Sequence, residues 1–187
     1  MGITLFRNVL FLSTLLIVLA VDQTVKELIK HHLLLGQSWP QDGPFRITFI
    51  TNSGGLFGVM PGYTTFFTVA SIVGILLLVL LYRTQTGSNN SMRLSLGLLV
   101  GGAIGNLIDR LRYDYVIDFI DIGPWPIFNL ADSSIVIGII LLAKVVFFTS
   151  FVSGSKSSYG GADSEHTPLN ASHLLPVCNT DDNGGHN

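Results

Sequence analysis

Charge is what this sequence has least of. Only 12% of its 187 residues are charged while 48% are hydrophobic, whereas an ordinary soluble domain carries charge on about a quarter of its positions. That scarcity argues against a solvated globule and for a chain that lives in lipid. Cysteine is nearly absent: Cys178 stands alone in a polar tail, which excludes a disulfide framework and a thiolate metal site. The net charge of −2 comes with no basic stripe, so no nucleic-acid partner is expected. Histidine is missing from the long apolar runs, and with it the base that a catalytic serine such as Ser133 or Ser134 would need. No internal repeat is visible, against the habit of proton-coupled transporters, which also spread their charged residues through the membrane depth.

What the chain does have is four long apolar runs. A span needs about 20 apolar residues to cross a hydrocarbon core of about 30 Å. The runs are roughly Leu5 to Ile29, Tyr63 to Tyr82, the stretch "MRLSLGLLVGGAIGNLIDRL", and Ile127 to Val152. Arg7, the apolar block after it and "VLA" ending at Ala20 also fit a cleavable signal peptide. Apolar spacing resumes after Asp22, however, and three more spans follow, so the first run is expected to stay attached. Lys144, near the end of the fourth, is expected to snorkel toward headgroups. Gly97, Gly101 and Gly105 form a small-residue ridge suited to close helix contact.

The fold class expected is therefore an all-α polytopic membrane protein of four transmembrane helices, with a small β-rich loop between the first two. In that loop "FRITFIT" puts Phe45, Ile47 and Phe49 on one face of a half-buried strand, and "SGG" supplies a turn or bulge. His31 and His32 read as interfacial polar residues, with no third metal-binding partner nearby. Residues 1–152 form the expected membrane domain. Residues 153–187, rich in Gly, Ser, Asn and Asp, form an expected disordered tail, where His166, His173 and His186 are too scattered to read as a metal site.

If the four helices alternate through the bilayer, one membrane face collects Asp22, Asn52, Asn106, Asp109, Arg110, Asp118, Asn129 and Asp132. Ionisable groups at that depth are costly and usually face a protein interior or a watery cavity. Asn106, Asp109 and Arg110 share a helical face, and an Asp–Arg pair that holds helices together explains Asp109 and Arg110 at least as well as chemistry does. Asp118 and Asp132 resist that explanation. They flank the connection "IDIGPWP", whose Gly and Pro residues favour a turn, so two antiparallel helix ends are expected to bring their carboxyls together. Paired carboxylates share a proton, the state in which one activates water and the other polarises a carbonyl, as in an aspartic protease. Divalent-cation binding with help from Asp121 or Asp22 is the weaker alternative, because the carboxylates are too few. No metal and no cofactor are expected.

Five motifs, "VDQTVK", "TNSGGLFGV", "GNLIDR", "VIDFI" and "FNLADS", resemble in order and spacing those of bacterial lipoprotein signal peptidase (signal peptidase II). That resemblance implies an intramembrane aspartic endopeptidase with four spans and cytoplasmic termini, which cleaves prolipoproteins before a diacylglyceryl-modified cysteine. It implies Asp118 and Asp132 as the catalytic pair. Asn52, Asn106, Arg110 and Asn129 would position substrate or pair, and Asp22 and Asp109 would support the site. The presenilin-like class would need a Gly-x-Gly-Asp motif that the chain lacks. Gly55 departs from the alanine common in the family, which loosens the loop and leaves Asn52 and Phe57 in place; the polar tail exceeds what the family needs. The implied partners are lipid-modified prolipoproteins and membrane lipids, and the protein is expected to be a monomer in the bacterial cytoplasmic membrane with its site toward the extracytoplasmic side. Lysine and arginine counts at the two membrane faces do not decide orientation. Trp39, Phe45, Phe49 and Phe57 are expected on the outer leaflet, clasping substrate, and removal of residues 37–50 is expected to weaken binding more than folding.

Overall fold

The computed structural model describes residues 2–53, 64–84 and 89–158, with side-chain surroundings from residue 8 to residue 147 within those stretches. Four helices follow the four apolar runs: α1 (Gly2–His32), α2 (Thr64–Thr84), α3 (Asn90–Tyr113) and α4 (Leu130–Ser158). Each contains a stretch long and apolar enough to cross a membrane: Asn8–His32, Thr64–Thr84, Asn90–Tyr113 and Leu130–Phe147. α1 is unbroken through Asp22. α4 continues past Val152 to Ser158, and the rest of the polar tail, with its histidines and Cys178, lies outside the described residues.

α3 is the axial helix. It is the span with the most buried residues, whereas α2 buries none. Its start is capped by Asn89, whose side chain accepts from the N–H groups of Ser91 and Met92, and its end by Asp114 in the left-handed conformation at φ 61°. Such caps satisfy terminal backbone groups that the helix itself leaves without partners. Leu96, Leu99 and Val100 of α3 pack with Phe11 of α1 and Met92 to form the bundle core. The glycine ridge works as expected: a Cβ at Gly97 would stand 2.9 Å from the Phe11 carbonyl oxygen, and one at Gly101 3.0 Å from that of Leu15. Contact this close needs a bare backbone. Exposed leucines, isoleucines and valines on α1, α2 and α4 face outward, as lipid-facing surfaces do.

Among the described residues three strands form the small sheet, which draws one strand from beyond α3. β1 (Ser38–Trp39), β2 (Arg46–Asn52) and β3 (Val116–Asp121) form an antiparallel sheet in that order. The expected alternation in β2 breaks at an irregularity in its pairing with β3 between Ile47 and Ile50. As a result Thr48 and Phe49 are both buried, while Phe45 is exposed, so Phe45, Ile47 and Phe49 do not share one face. Phe49 instead joins Ile29, Ile117 and Phe119 in a second core beneath the sheet. Phe57 lies outside the described residues.

β3 is the larger correction. Asp118 was expected at a helix end; it sits on a strand whose partners are β2 on one side and Phe128 on the other. The N–H of Ile120 donates to the Phe128 carbonyl at 2.7 Å and the N–H of Phe128 returns to Ile120 at 3.2 Å. The connection between them turns through Gly123 at φ +83°. A run of valine and isoleucine between a left-handed cap and a Gly-Pro turn forms a strand because β-branched side chains pack well on a pleated surface.

Candidate active site

Asn129 stands immediately before α4, and Asp132 is the third residue of that helix. The N–H of Asp132 donates to Asn129 Oδ1 at 2.8 Å, and the N–H of Asn129 donates to Asp132 Oδ2 at 3.3 Å. This reciprocal arrangement is a capping box with aspartate in the acidic role. It explains how a carboxylate comes to open a lipid-facing helix, where it also meets the positive end of the helix dipole.

The same asparagine reaches the other carboxyl. Asn129 Nδ2 donates to Asp118 Oδ1 at 2.6 Å and to Asn106 Oδ1 at 3.1 Å. Asn106 Nδ2 in turn donates to Asp132 Oδ1 at 2.7 Å. On β2, Asn52 donates to Asp118 Oδ2 at 3.0 Å; it pairs with Val116 while Ile50 pairs with Asp118, a diagonal that lets side chains on one face meet. Asp118 and Asp132 thus come from different elements, a strand and a helix, and are tied together by two asparagines.

Both carboxyls line a cavity of about 640 Å³. Its polar wall is Asn52, Asn106, Arg110, Asp118, Asp132 and Ser133, and its apolar wall includes Phe67, Trp125, Ile127, Val136 and Ile137. Val136 and Ile137 of that wall are about half exposed, so the cavity opens at the surface of the bundle. Burial, followed by the charge of Asp132, pushes the Asp118 carboxyl up to about 7, against the pull of hydrogen bonds from Asn52 and Asn129. A carboxyl held near neutrality keeps its proton where an ordinary aspartate has lost it.

Arg110 and Asp109 do not pair with each other. Arg110 lines the cavity, donates to Ser71 Oγ at 3.3 Å and lies over the Phe67 ring at 5.9 Å. Asp109 turns the other way, into a fully buried cluster with Asp22 and Lys26. Lys26 Nζ lies 2.9 Å from Asp22 Oδ2 and 2.8 Å from Asp109 Oδ2, and Gln23 Nε2 donates to Asp109 Oδ1 at 3.0 Å. Asp22 Oδ1 accepts the N–H of Ala131 at 3.0 Å, and Asp109 Oδ2 accepts that of Ile117 at 3.1 Å. Gly105 makes room for this, since a Cβ there would stand 2.7 Å from Asp22 Oδ2. Reading the sequence missed Lys26 and Gln23, although Lys26 falls four residues after Asp22 on α1, one helical turn on the same face. Among the described residues no buried side-chain nitrogen or oxygen lacks a partner, and no three His, Cys, Asp or Glu side chains converge as a metal site would require.

The chain is similar to known proteins over most of its length. Residues 14–148 match the family model described as signal peptidase (SPase) II. The chain is 44% identical over 128 residues to the lipoprotein signal peptidase of Halothermothrix orenii, covering 68% of this chain and 88% of that one. It is 42% identical over 133 residues to the lipoprotein signal peptidase of Moorella thermoacetica, covering 71% and 89%. Among solved structures, a bacterial membrane enzyme at 2.3 Å resolution superposes with a TM-score of 0.67 at 30% identity, covering 84% of this chain and 94% of that one.

Proposed function

The chain belongs to the signal peptidase II family, and we propose that Asp118 and Asp132 are the carboxyl pair with which it cleaves signal peptides from lipid-modified prolipoproteins. The observation that carries this reading is Asn129, which hydrogen-bonds both carboxyls at the wall of a cavity otherwise lined largely by apolar groups. At neutral pH such a pair holds one proton. The ionised member takes a proton from a water, whose oxygen attacks the scissile carbonyl carbon; the protonated member hydrogen-bonds the carbonyl oxygen and stabilises the developing charge. Collapse of the tetrahedral species returns a proton to the departing amine. The two roles are shared because the pair titrates as a unit. Asn52 and Arg110, on the polar wall, position the substrate backbone, while Asn106 and Asn129 position the pair.

The substrate class follows from the cavity and the membrane together. A diacylglyceryl group holds its peptide at the bilayer by about 0.8 kcal/mol per buried methylene, so the enzyme has to meet it there, through a wall open to lipid. Cleavage falls just before the lipid-bearing cysteine. In this reading the site lies outside the cytoplasm, an orientation that rests on the family resemblance, since the lysines and arginines at the two membrane faces do not decide it. The working unit in this reading is a monomer of residues 1–152 in the bacterial cytoplasmic membrane, with 153–187 as an appended tail.

The test is cleavage of a diacylglyceryl-modified prolipoprotein in membranes by wild type, Asp118→Asn and Asp132→Asn. Each variant is expected to insert normally and to lose turnover by about 10⁴-fold or more, the scale for a member of a catalytic unit. Wild-type cleavage by either would overturn the assignment.

A further inference from the structure

Lys26 occupies the centre of the buried cluster, 1% exposed, and its ammonium has three hydrogens and three acceptors. Two are the carboxylates of Asp22 and Asp109, at 2.9 and 2.8 Å; the third is Asn106 Oδ1 at 3.1 Å. Each acceptor also holds the chain beside a member of the carboxyl pair. Asp22 binds the N–H of Ala131, one residue before Asp132. Asp109 binds the N–H of Ile117, one residue before Asp118. Asn106 binds Asp132 itself.

The Asn106 contact has the most definite chemical consequence. A side-chain amide can face either way, but an ammonium only donates. With Lys26 and Asn129 Nδ2 both donating to its oxygen, Asn106 turns its NH₂ toward Asp132. We infer that Lys26 is a positioning residue for catalysis: it orients the Asn106 amide, and through it the Asp132 carboxyl, in addition to neutralising its two buried partners. The inference rests on the assignment of Asp118 and Asp132 as the catalytic pair.

Removing Lys26 alone would leave Asp22 and Asp109 buried without their cation, which is strongly destabilising. The test therefore uses Lys26→Gln combined with Asp109→Asn, which leaves the cluster's net charge unchanged, measured in the full-length protein in lipid. This double variant is expected to unfold cooperatively, to keep its KM within about threefold and to lose kcat by about ten- to a hundredfold, the scale of a small misplacement of reacting groups. In an Asn106→Ala background the same two changes should add less than about twofold, since the group they act through is already missing. A second variant, Lys26→Arg, keeps the charge balance but presents a planar fork. It is expected to fold with its partners satisfied and to turn over at least about tenfold more slowly than wild type.

Undiminished kcat per folded molecule in Lys26→Arg, a loss in the double variant that falls on KM and not on kcat, or fully additive losses with Asn106→Ala would each overturn the inference and leave Lys26 a scaffold residue. Activity in Asp118→Asn or Asp132→Asn, by contrast, would overturn the underlying assignment, so the two failures are distinguishable.

Discussion

Asp118 is 1% exposed and carries a carboxyl pushed up to about 7 by burial and by the charge of Asp132. An unfolded chain releases this proton near 4. Between roughly pH 4 and 7 the native state therefore binds a proton that the unfolded state has lost, and this residue's contribution makes the fold less stable as pH rises through that window. Above about 7 both states are ionised and the penalty is constant, up to about 4 kcal/mol at about 1.4 kcal/mol per unit. Asp118→Asn removes the titrating group. Thermal unfolding of the variant in lipid should show a shallower loss of stability between pH 5 and 8 than wild type; an identical slope would mean that Asp118 ionises alike in both states. Asp121 has the opposite sense. Burial pushes its carboxyl up, but the Gly123 N–H, the Thr48 hydroxyl and Arg46 together hold it below the usual range, and Arg46 Nη2 lies 2.8 Å away. Its stabilisation is present at neutral pH and fades in acid, and it clamps β2 to β3 beside the site.

At the scale of elements, the pair depends on how closely α4 approaches α3. A Cβ added at Gly102 would lie 2.5 Å from the Ala131 carbonyl oxygen and closer still to Ser134 Oγ. Backbone on a neighbouring helix cannot yield as a flexible side chain can. Gly102→Ala is expected to push the start of α4 outward, destabilising the protein by about 1–3 kcal/mol and lowering kcat more than it changes KM. Turnover at the wild-type rate in this variant would show that the helix start adjusts without moving Asp132. β2 is an equally strict constraint. It is the middle strand and carries Asn52 to Asp118, so removal of residues 37–50 would unseat β3 as well as any substrate contact. The two expected effects of that deletion therefore cannot be separated, and substitution of exposed side chains is the cleaner experiment.

For the molecule as a whole, the question is how the sheet meets the bilayer. Trp39, Phe45 and Trp125 are each more than 60% exposed at the end of the bundle where the cavity lies, and tryptophan favours the headgroup layer. Combined Trp39→Ala and Phe45→Ala should raise KM for a lipid-modified substrate in vesicles severalfold with kcat nearly unchanged. An unaltered KM would remove these residues from any part in holding substrate at the surface. Trp125, which also lines the cavity, is kept intact so that the change reports the membrane contact alone.

The four spans and the gathering of polar residues at one membrane face were legible in the sequence, because lipid demands about 20 apolar residues per crossing and leaves charged groups conspicuous. The helix ends were legible to within about three residues for the same reason, except that α4 runs on past Val152 to Ser158. β3, the break in the β2 alternation and the Lys26 cluster were not. Four residues of valine, isoleucine and phenylalanine around Asp118 fit a buried strand or a helix end equally well, and only pairing with β2 and Phe128 selected the strand. Lys26 counted as one more surface cation until packing placed it between Asp22 and Asp109. Membrane insertion is written in local composition, which any single window of the chain displays; the meeting of Asp118 with Asp132 depends on hydrogen bonds from Asn106 and Asn129, groups far apart in the chain that only the folded bundle brings together.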